Sequence, residues 1–202
     1  MKRIRSLPAL ATGISFAMVA LFLLACRPEH TSRTNEASGW PNPDADRAAW
    51  RKALGWSDEC EQEFQAGPSG QRGVQFYDLG GSRTLAEVAC SFGAYQGSEQ
   101  YYLISGNERS HRVQALQMPT YEATGADGKT LVRKDETEIT GLPEFNRSTK
   151  TLSILNRYRG PGDCGSYATY AFERDRAVLK EFRAKLDCDG TGAEHPEKWP
   201  LR

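Results

Sequence analysis

The sequence predicts a mainly β fold, α+β at the margin. The expected form is a single antiparallel sheet domain, curled or two-layered, with one or two short N-terminal helices. Three observations carry this expectation. From Gly73 onward the chain reads as eight extended segments, several with apolar and polar residues alternating at a period of two. Short turn-forming stretches such as Gly80-Gly81 and Gly160-Pro161-Gly162 join the segments, with no helical pattern between them. Antiparallel pairing follows, because parallel strands need long crossovers. Composition is ordinary for a globular chain: 202 residues, 39% hydrophobic, with 26 basic and 26 acidic side chains. This argues against wholesale disorder and leaves room for one domain of roughly 150 residues with a real core.

The first residues stand apart from that domain. Met1–Arg5 is basic and Ala9–Ala25 is a mostly apolar run, the pattern of a secretory signal peptide over residues 1–25. The run ends Leu23-Leu24-Ala25-Cys26, which resembles the lipobox of bacterial lipoproteins. That resemblance implies cleavage before Cys26, lipid on its thiol and acylation of the new N-terminus, with palmitate as the expected chain. The alternative is an uncleaved membrane anchor, since the run is nearly long enough to span a bilayer. By resemblance to enterobacterial lipoprotein sorting, Arg27 after the cysteine implies the outer membrane, with the protein facing the periplasm. Pro28–Asp46, rich in Pro, Ser and Asn, reads as a tether, so residues 26–46 form the lipidated cysteine and its linker. Residues 47–202 form the domain. Because Lys2, Arg3 and Arg5 are removed with the signal peptide, the mature chain carries an excess of three acids. It lacks the basic footprint of a nucleic-acid binder. A monomer is expected.

The domain opens with a helix over Asp44–Leu54, started by Pro43 and Asp44, with Ala48, Trp50, Ala53 and Leu54 near helical spacing. A second short helix begins at Ser57, its N-cap, with Asp58 and Glu59 complementing the dipole. Phe64 should point inward, and Ala66-Gly67-Pro68 should end it. Expected strands are Val74–Leu79, Thr84–Phe92, Gln100–Ser105, Arg112–Met118, Thr130–Ile139, Thr151–Tyr158, Tyr167–Phe172 and Ala177–Leu186. Ala86, Val88, Cys90 and Phe92 should share one face, and Val178, Phe182, Ala184 and Leu186 another. Thr130–Ile139 is so charged that it suits an edge strand.

With Cys26 assigned to lipid, Cys60, Cys90, Cys164 and Cys188 remain, and an even number in an exported chain implies two disulfides. The last two strands form a hairpin around Glu173–Arg176, which brings Cys164 and Cys188 together beyond its open end. Cys60 and Cys90 then pair by elimination. No Cys-x-x-Cys occurs, and His30, His111 and His195 make no metal-ligand spacing with the cysteines, so no metal and no cofactor are expected.

No hydrolase, P-loop or dinucleotide signature is present, and no catalytic residue is assigned. Asp187-x-Asp189-Gly190 starts like a calcium loop, but Lys198 stands where a bidentate acid is required. Two loops could bind a partner. Asn156, Arg157, Tyr158 and Arg159 lead into Gly160-Pro161-Gly162-Asp163, where arginine forks could grip an anion or glycan. The simpler reading is solvated arginines at a strand end, with Asp163 bridging Arg159 or capping the turn. Tyr95 and Gln96 occupy a second loop after Cys90, where they could contact a ligand or merely order the turn.

Several stretches together resemble an uncharacterised bacterial envelope family, domain of unknown function 1176. They are Cys60 in its acidic helix, Cys90-Ser91-Phe92-Gly93-Ala94-Tyr95-Gln96, Phe145-Asn146 with Thr151-Leu152-Ser153, Arg159-Gly160-Pro161-Gly162-Asp163-Cys164-Gly165, Cys188-Asp189-Gly190 and Trp199-Pro200. The resemblance implies export, a β-rich domain and paired cysteines, and it brings no reaction. The functional expectation is therefore a membrane-anchored, non-catalytic envelope module that binds an envelope protein or glycan. An inhibitor or immunity protein against a cell-wall-degrading enzyme is the alternative. A hydrolase with a dispersed carboxylate site comes third.

Overall fold

The structure, a computed structural model of the chain, describes residues 41–42, 44–71, 73–107, 110–125, 128–190 and 195–202. The expected signal peptide, Cys26, most of the tether, His30 and the Ala126-Asp127 turn lie outside the described residues. Among the described residues no helix is long and apolar enough to cross a membrane.

Helix α1 (Arg47–Leu54) starts three residues later than expected, because Asp46 rather than Asp44 caps it. Its carboxylate accepts the Ala49 N–H at 2.8 Å, satisfying a first-turn donor that a helix cannot satisfy itself. Helix α2 (Asp58–Gln65) begins as expected, with Ser57 accepting from the Cys60 N–H, and it buries Cys60 and Phe64.

Strands β1 (Val74–Asp78), β2 (Arg83–Phe92), β3 (Gly97–Asn107) and β4 (Ser110–Ala115) make one leaf of an antiparallel sheet. A ribbon of β5 (Met118–Thr124) and β6 (Thr130–Glu136) follows. Strands β7 (Glu138–Asn146), β8 (Thr151–Arg157), β9 (Gly165–Glu173) and β10 (Arg176–Lys185) make the second leaf. The leaves are joined through β7. Its residues Glu138–Gly141 pair with β3, and Leu142–Asn146 pair with β8. Gly97 and Gly141 face each other at that crossing, where an added Cβ would run into the Ser91 carbonyl or the Ile154 side chain.

Two expected strands were really parts of four. Arg112–Met118 breaks at buried Leu116, and Thr130–Ile139 breaks at Thr137, so β5 and β7 emerge as separate strands. Neither break carries glycine or proline, and Pro143 within β7 reads locally as a strand breaker. The proline is accommodated because β3 has left β7 by that point. A further correction concerns β10. A bulge between Leu179 and Glu181 shifts the phase, so Ala177, not Val178, shares the buried face with Phe182 and Ala184.

The two leaves enclose the main core, in which Leu85, Tyr101 and Leu103 meet Leu152, Ile154, Tyr170, Phe172 and Phe182. The ribbon packs on it through Tyr121, whose ring lies 4.8 Å from that of Phe182. A second core fills the opposite face of the first leaf. There Trp50, Leu54, Trp56 and Cys60 cover Ala86, Val88, Cys90, Tyr102 and Ile104. The first leaf is thus buried on both faces. At the C-terminus Pro200 and Arg202 bond to Ala184 and Phe182, closing the outer edge of β10, while Trp199 is buried. Both disulfides form as expected: Cys60–Cys90 with Cα atoms 4.4 Å apart, and Cys164–Cys188 at 4.9 Å.

Double burial places acids inside. Glu87 and Glu99, one cross-strand step apart on the core face of β2 and β3, are 5% and 7% exposed. Glu87 is held by the Tyr77 hydroxyl at 3.3 Å, whereas one Glu99 oxygen has no partner. Burial pushes Glu87 up to about 7, and burial followed by repulsion from Glu87 and Glu138 pushes Glu99 up to about 8. Both values exceed those of the unfolded chain, so this contribution to stability is present in acid and is lost as pH rises through 7 to 8. The melting temperature is expected to be higher near about pH 5 than near about pH 8.5, and Glu99→Gln should flatten the difference. Thermal unfolding at the two pH values checks this; an equal slope in wild type and variant would contradict it.

Candidate functional site

Period-two alternation along β8 and β9 sends Ile154, Asn156, Ser166, Ala168 and Tyr170 to the inner face. Where the first leaf no longer covers them, they form the floor of an open groove of about 400 Å³, with Tyr158 at its rim. The β5–β6 ribbon bounds the groove through Thr120, Glu122, Lys134 and Glu136, and Ile139 and Thr140 at the start of β7 complete it. Lys134 reaches both Glu122, at 3.2 Å, and Glu136, so the three charged ribbon residues of the groove are linked to one another. Its lining is otherwise neutral. The Tyr158 hydroxyl interacts with Ser166, and that of Tyr170 with Thr120; burial raises the pKa of both tyrosines. A hollow of about 450 Å³ also lies beside β1, but its Arg47 is spent on structural bonds to Glu61, Gly73 and Ala89.

The two loops singled out in the sequence come together beside this groove. Gln96 donates to Asn156 Oδ1 at 2.9 Å and to the Arg157 carbonyl at 3.2 Å, and accepts the Arg157 N–H at 2.8 Å. The Tyr95 ring lies against Gly160. Tyr95 and Tyr158, 42% and 37% exposed, are among the few exposed large hydrophobic side chains of the described residues. Gln96 is therefore a bracket that orients Asn156.

Arg157 does not face the groove, because alternation turns it away from Asn156 and its stem packs over Gly162. Arg159 and Asp163 serve the second disulfide. Asp163 is 1% exposed and accepts from Arg159 Nε at 2.7 Å, from a second Arg159 nitrogen and from the Gly190 N–H at 2.7 Å. The adjacent guanidinium holds its carboxyl well below the usual carboxylate range. Arg159 also donates to the Cys188 carbonyl at 3.0 Å, so this pair fixes the chain around Cys164–Cys188.

Among the described residues, Cys60, Cys90 and Glu138 bring ligand-type atoms within 4.8 Å of one another, but the two sulfurs are bonded together as a disulfide. Glu138 instead accepts from Ser98 at 2.6 Å and from Gln100 at 3.2 Å. Asp187 and Asp189 pair with Lys129 and Lys185, and His195 lies exposed beside Glu197.

Sequence reasoning missed Thr120, Lys134, Glu136 and Ser166. Their neighbourhood depends on how the ribbon folds back over β8 and β9, which no local spacing reports. Asn156 opened the flagged arginine cluster, but sequence reasoning assigned the binding role to the arginines, whereas the structure puts Asn156 in the groove. Gln96→Ala should lower stability by about 1–3 kcal/mol in urea unfolding, the worth of its neutral hydrogen bonds, and speed amide exchange at Arg157. Unchanged exchange at Arg157 would show that Gln96 brackets nothing.

No curated protein and no solved structure matches the chain significantly. The family described as Protein of unknown function (DUF1176) matches residues 26–202, which include every described residue. With a match over most of its length, two disulfides and a mainly β fold, the chain belongs to that family of proteins of unknown function.

Proposed function

We infer that the protein is a lipid-anchored module of the cell envelope that holds an envelope component in the β8–β9 groove and does not transform it. The supporting observation is the groove itself: neutral hydrogen-bonding side chains on a rigid sheet floor, with an exposed tyrosine at the rim. Small-molecule and chain-ligand sites share this make-up, a concave surface with a few placed polar groups. The acids at the groove, Glu122 and Glu136, are engaged by Lys134, which suits closure of the ribbon better than proton transfer. The other close acids, Glu87 and Glu99, are enclosed in the core.

Anchoring rests on Leu23-Leu24-Ala25-Cys26 and the linker that follows. Two or three acyl chains hold a domain at the bilayer essentially permanently, at about 0.8 kcal/mol per buried methylene. Disulfide bonding suits the oxidising periplasm, and Arg27 favours the outer membrane.

Two measurements test this reading. Metabolic labelling with a radioactive fatty acid should mark the wild-type chain and not Cys26→Ser; an unlabelled wild type would remove the lipid anchor. Immobilised full chain should retain envelope material, and Thr140→Arg should abolish that retention, because Thr140 is an exposed groove residue whose replacement fills the site without touching the core. Equal retention by the Arg variant would place binding elsewhere.

A further inference from the structure

The chemistry of the groove identifies its ligand class, an inference that rests on the binding reading above. Charge is the first discriminator. The described cation of the lining, Lys134, is bonded to both described acids, Glu122 and Glu136. Neither a phosphate nor a carboxylate ligand finds a free cation there, and both carboxylates are tied to the one ammonium of Lys134, which leaves a single net negative charge on the ribbon side of the groove. The arginines that could have gripped an anion are directed elsewhere: Arg157 lies on the opposite face of β8, and Arg159 is committed to Asp163.

What remains is hydroxyl and amide chemistry. Thr140 brings a hydroxyl, and the pairs Tyr158–Ser166 and Tyr170–Thr120 each keep one donor and acceptor lone pairs beyond their mutual bond. Asn156 has a fixed orientation, because Gln96 occupies its Oδ1 and so directs its Nδ2 donors away from that bond. Between these groups the floor exposes small apolar spots at Ile139, Ile154 and Ala168, each of which is almost wholly buried in the sheet. The rim supplies the Tyr158 ring, with Tyr95 beyond Gly160. Tyrosine presents an apolar face and a polar tip, which fits a ligand whose surface alternates the same two qualities. The volume, about 400 Å³, lies in the range of small-ligand sites.

We propose that the groove binds a short stretch of uncharged, N-acetylated glycan, its hydroxyls on the Thr, Ser and Tyr side chains, an acetamido carbonyl on Asn156 Nδ2, its methyl on the apolar floor and a sugar face against Tyr158. An uncharged sugar chain needs no counter-ion from the protein, and the lining offers no free cation.

The test uses the full chain and three soluble probes of equal length: oligo-N-acetylglucosamine, its deacetylated cationic form, and oligogalacturonate as the anion. Calorimetric titration should show the acetylated probe binding at least about tenfold more tightly than either charged one. Tyr158→Ala and Asn156→Ala should each weaken it by about tenfold or more, the loss expected for one well-placed contact. Tyr158→Phe should keep most of the affinity, and thermal unfolding of each variant confirms that it is folded. A preference for either charged probe overturns the proposal. Absence of binding to the acetylated probe also overturns it. If Thr140→Arg still abolishes retention of envelope material in that event, the groove reading survives and only the glycan assignment falls; if it does not, both fall.

Discussion

The whole arrangement depends on one strand being shared. Up to Gly141, β7 belongs to the leaf of β3, and from Leu142 it belongs to the leaf of β8. A strand cannot pair fully with two diverging neighbours, so each leaf is free to take its own twist and the leaves fold face to face. The same divergence leaves part of the β8–β9 inner face beyond the reach of the first leaf. The β5–β6 ribbon covers that remainder only in part, and the groove is what it leaves open. Core and site are consequences of the same crossing.

The opposite face of the first leaf is secured by a different device. Arg47 on α1 bonds Glu61 on α2, the Gly73 carbonyl before β1 and the Ala89 carbonyl in β2. Its guanidinium also lies 4.7 Å from the Trp56 ring centre and 3.5 Å from that of Phe64. A cation so enclosed is costly to desolvate unless every direction is answered, and here carboxylate, carbonyls and aromatic faces answer it. The Cys60–Cys90 bond ties the same helix to the same strand. Two short helices that would not persist alone are thereby held against the sheet.

With both faces of the first leaf covered, its polar residues are drawn inward. Glu87 and Glu99 are carboxyls in the core, while Ser91, Ser98, Gln100, Tyr102 and Glu138 form a hydrogen-bonded chain on the helix side. These are unusual contents for a small sandwich, since a buried polar group is destabilising unless it is paired. The chain on the helix side is paired. The Glu87–Glu99 side is only partly so, which makes it the pH-sensitive part of the fold. The groove differs from both in holding neutral groups at a solvent-facing surface, where a ligand can take the place of water.

The sequence by itself determined what depends on near neighbours. The Ser57 cap, the inward Phe64, the β9–β10 hairpin and the Cys164–Cys188 pairing all follow from residues a short distance apart. Cys60–Cys90 followed by counting. It did not reveal that Glu87 is enclosed, because alternation on β2 looks the same whether its second face meets water or another leaf. Nor did it reveal the break at Thr137, where no glycine or proline stands, or the phase shift at the β10 bulge. Tyr95, Gln96 and Tyr158 were legible as loop residues, but only the tertiary structure decided that Gln96 braces Asn156 and that Arg157 turns away. That bracing is a side-chain contact between segments 61 positions apart, Gln96 and Arg157, and no local pattern encodes a contact of that span.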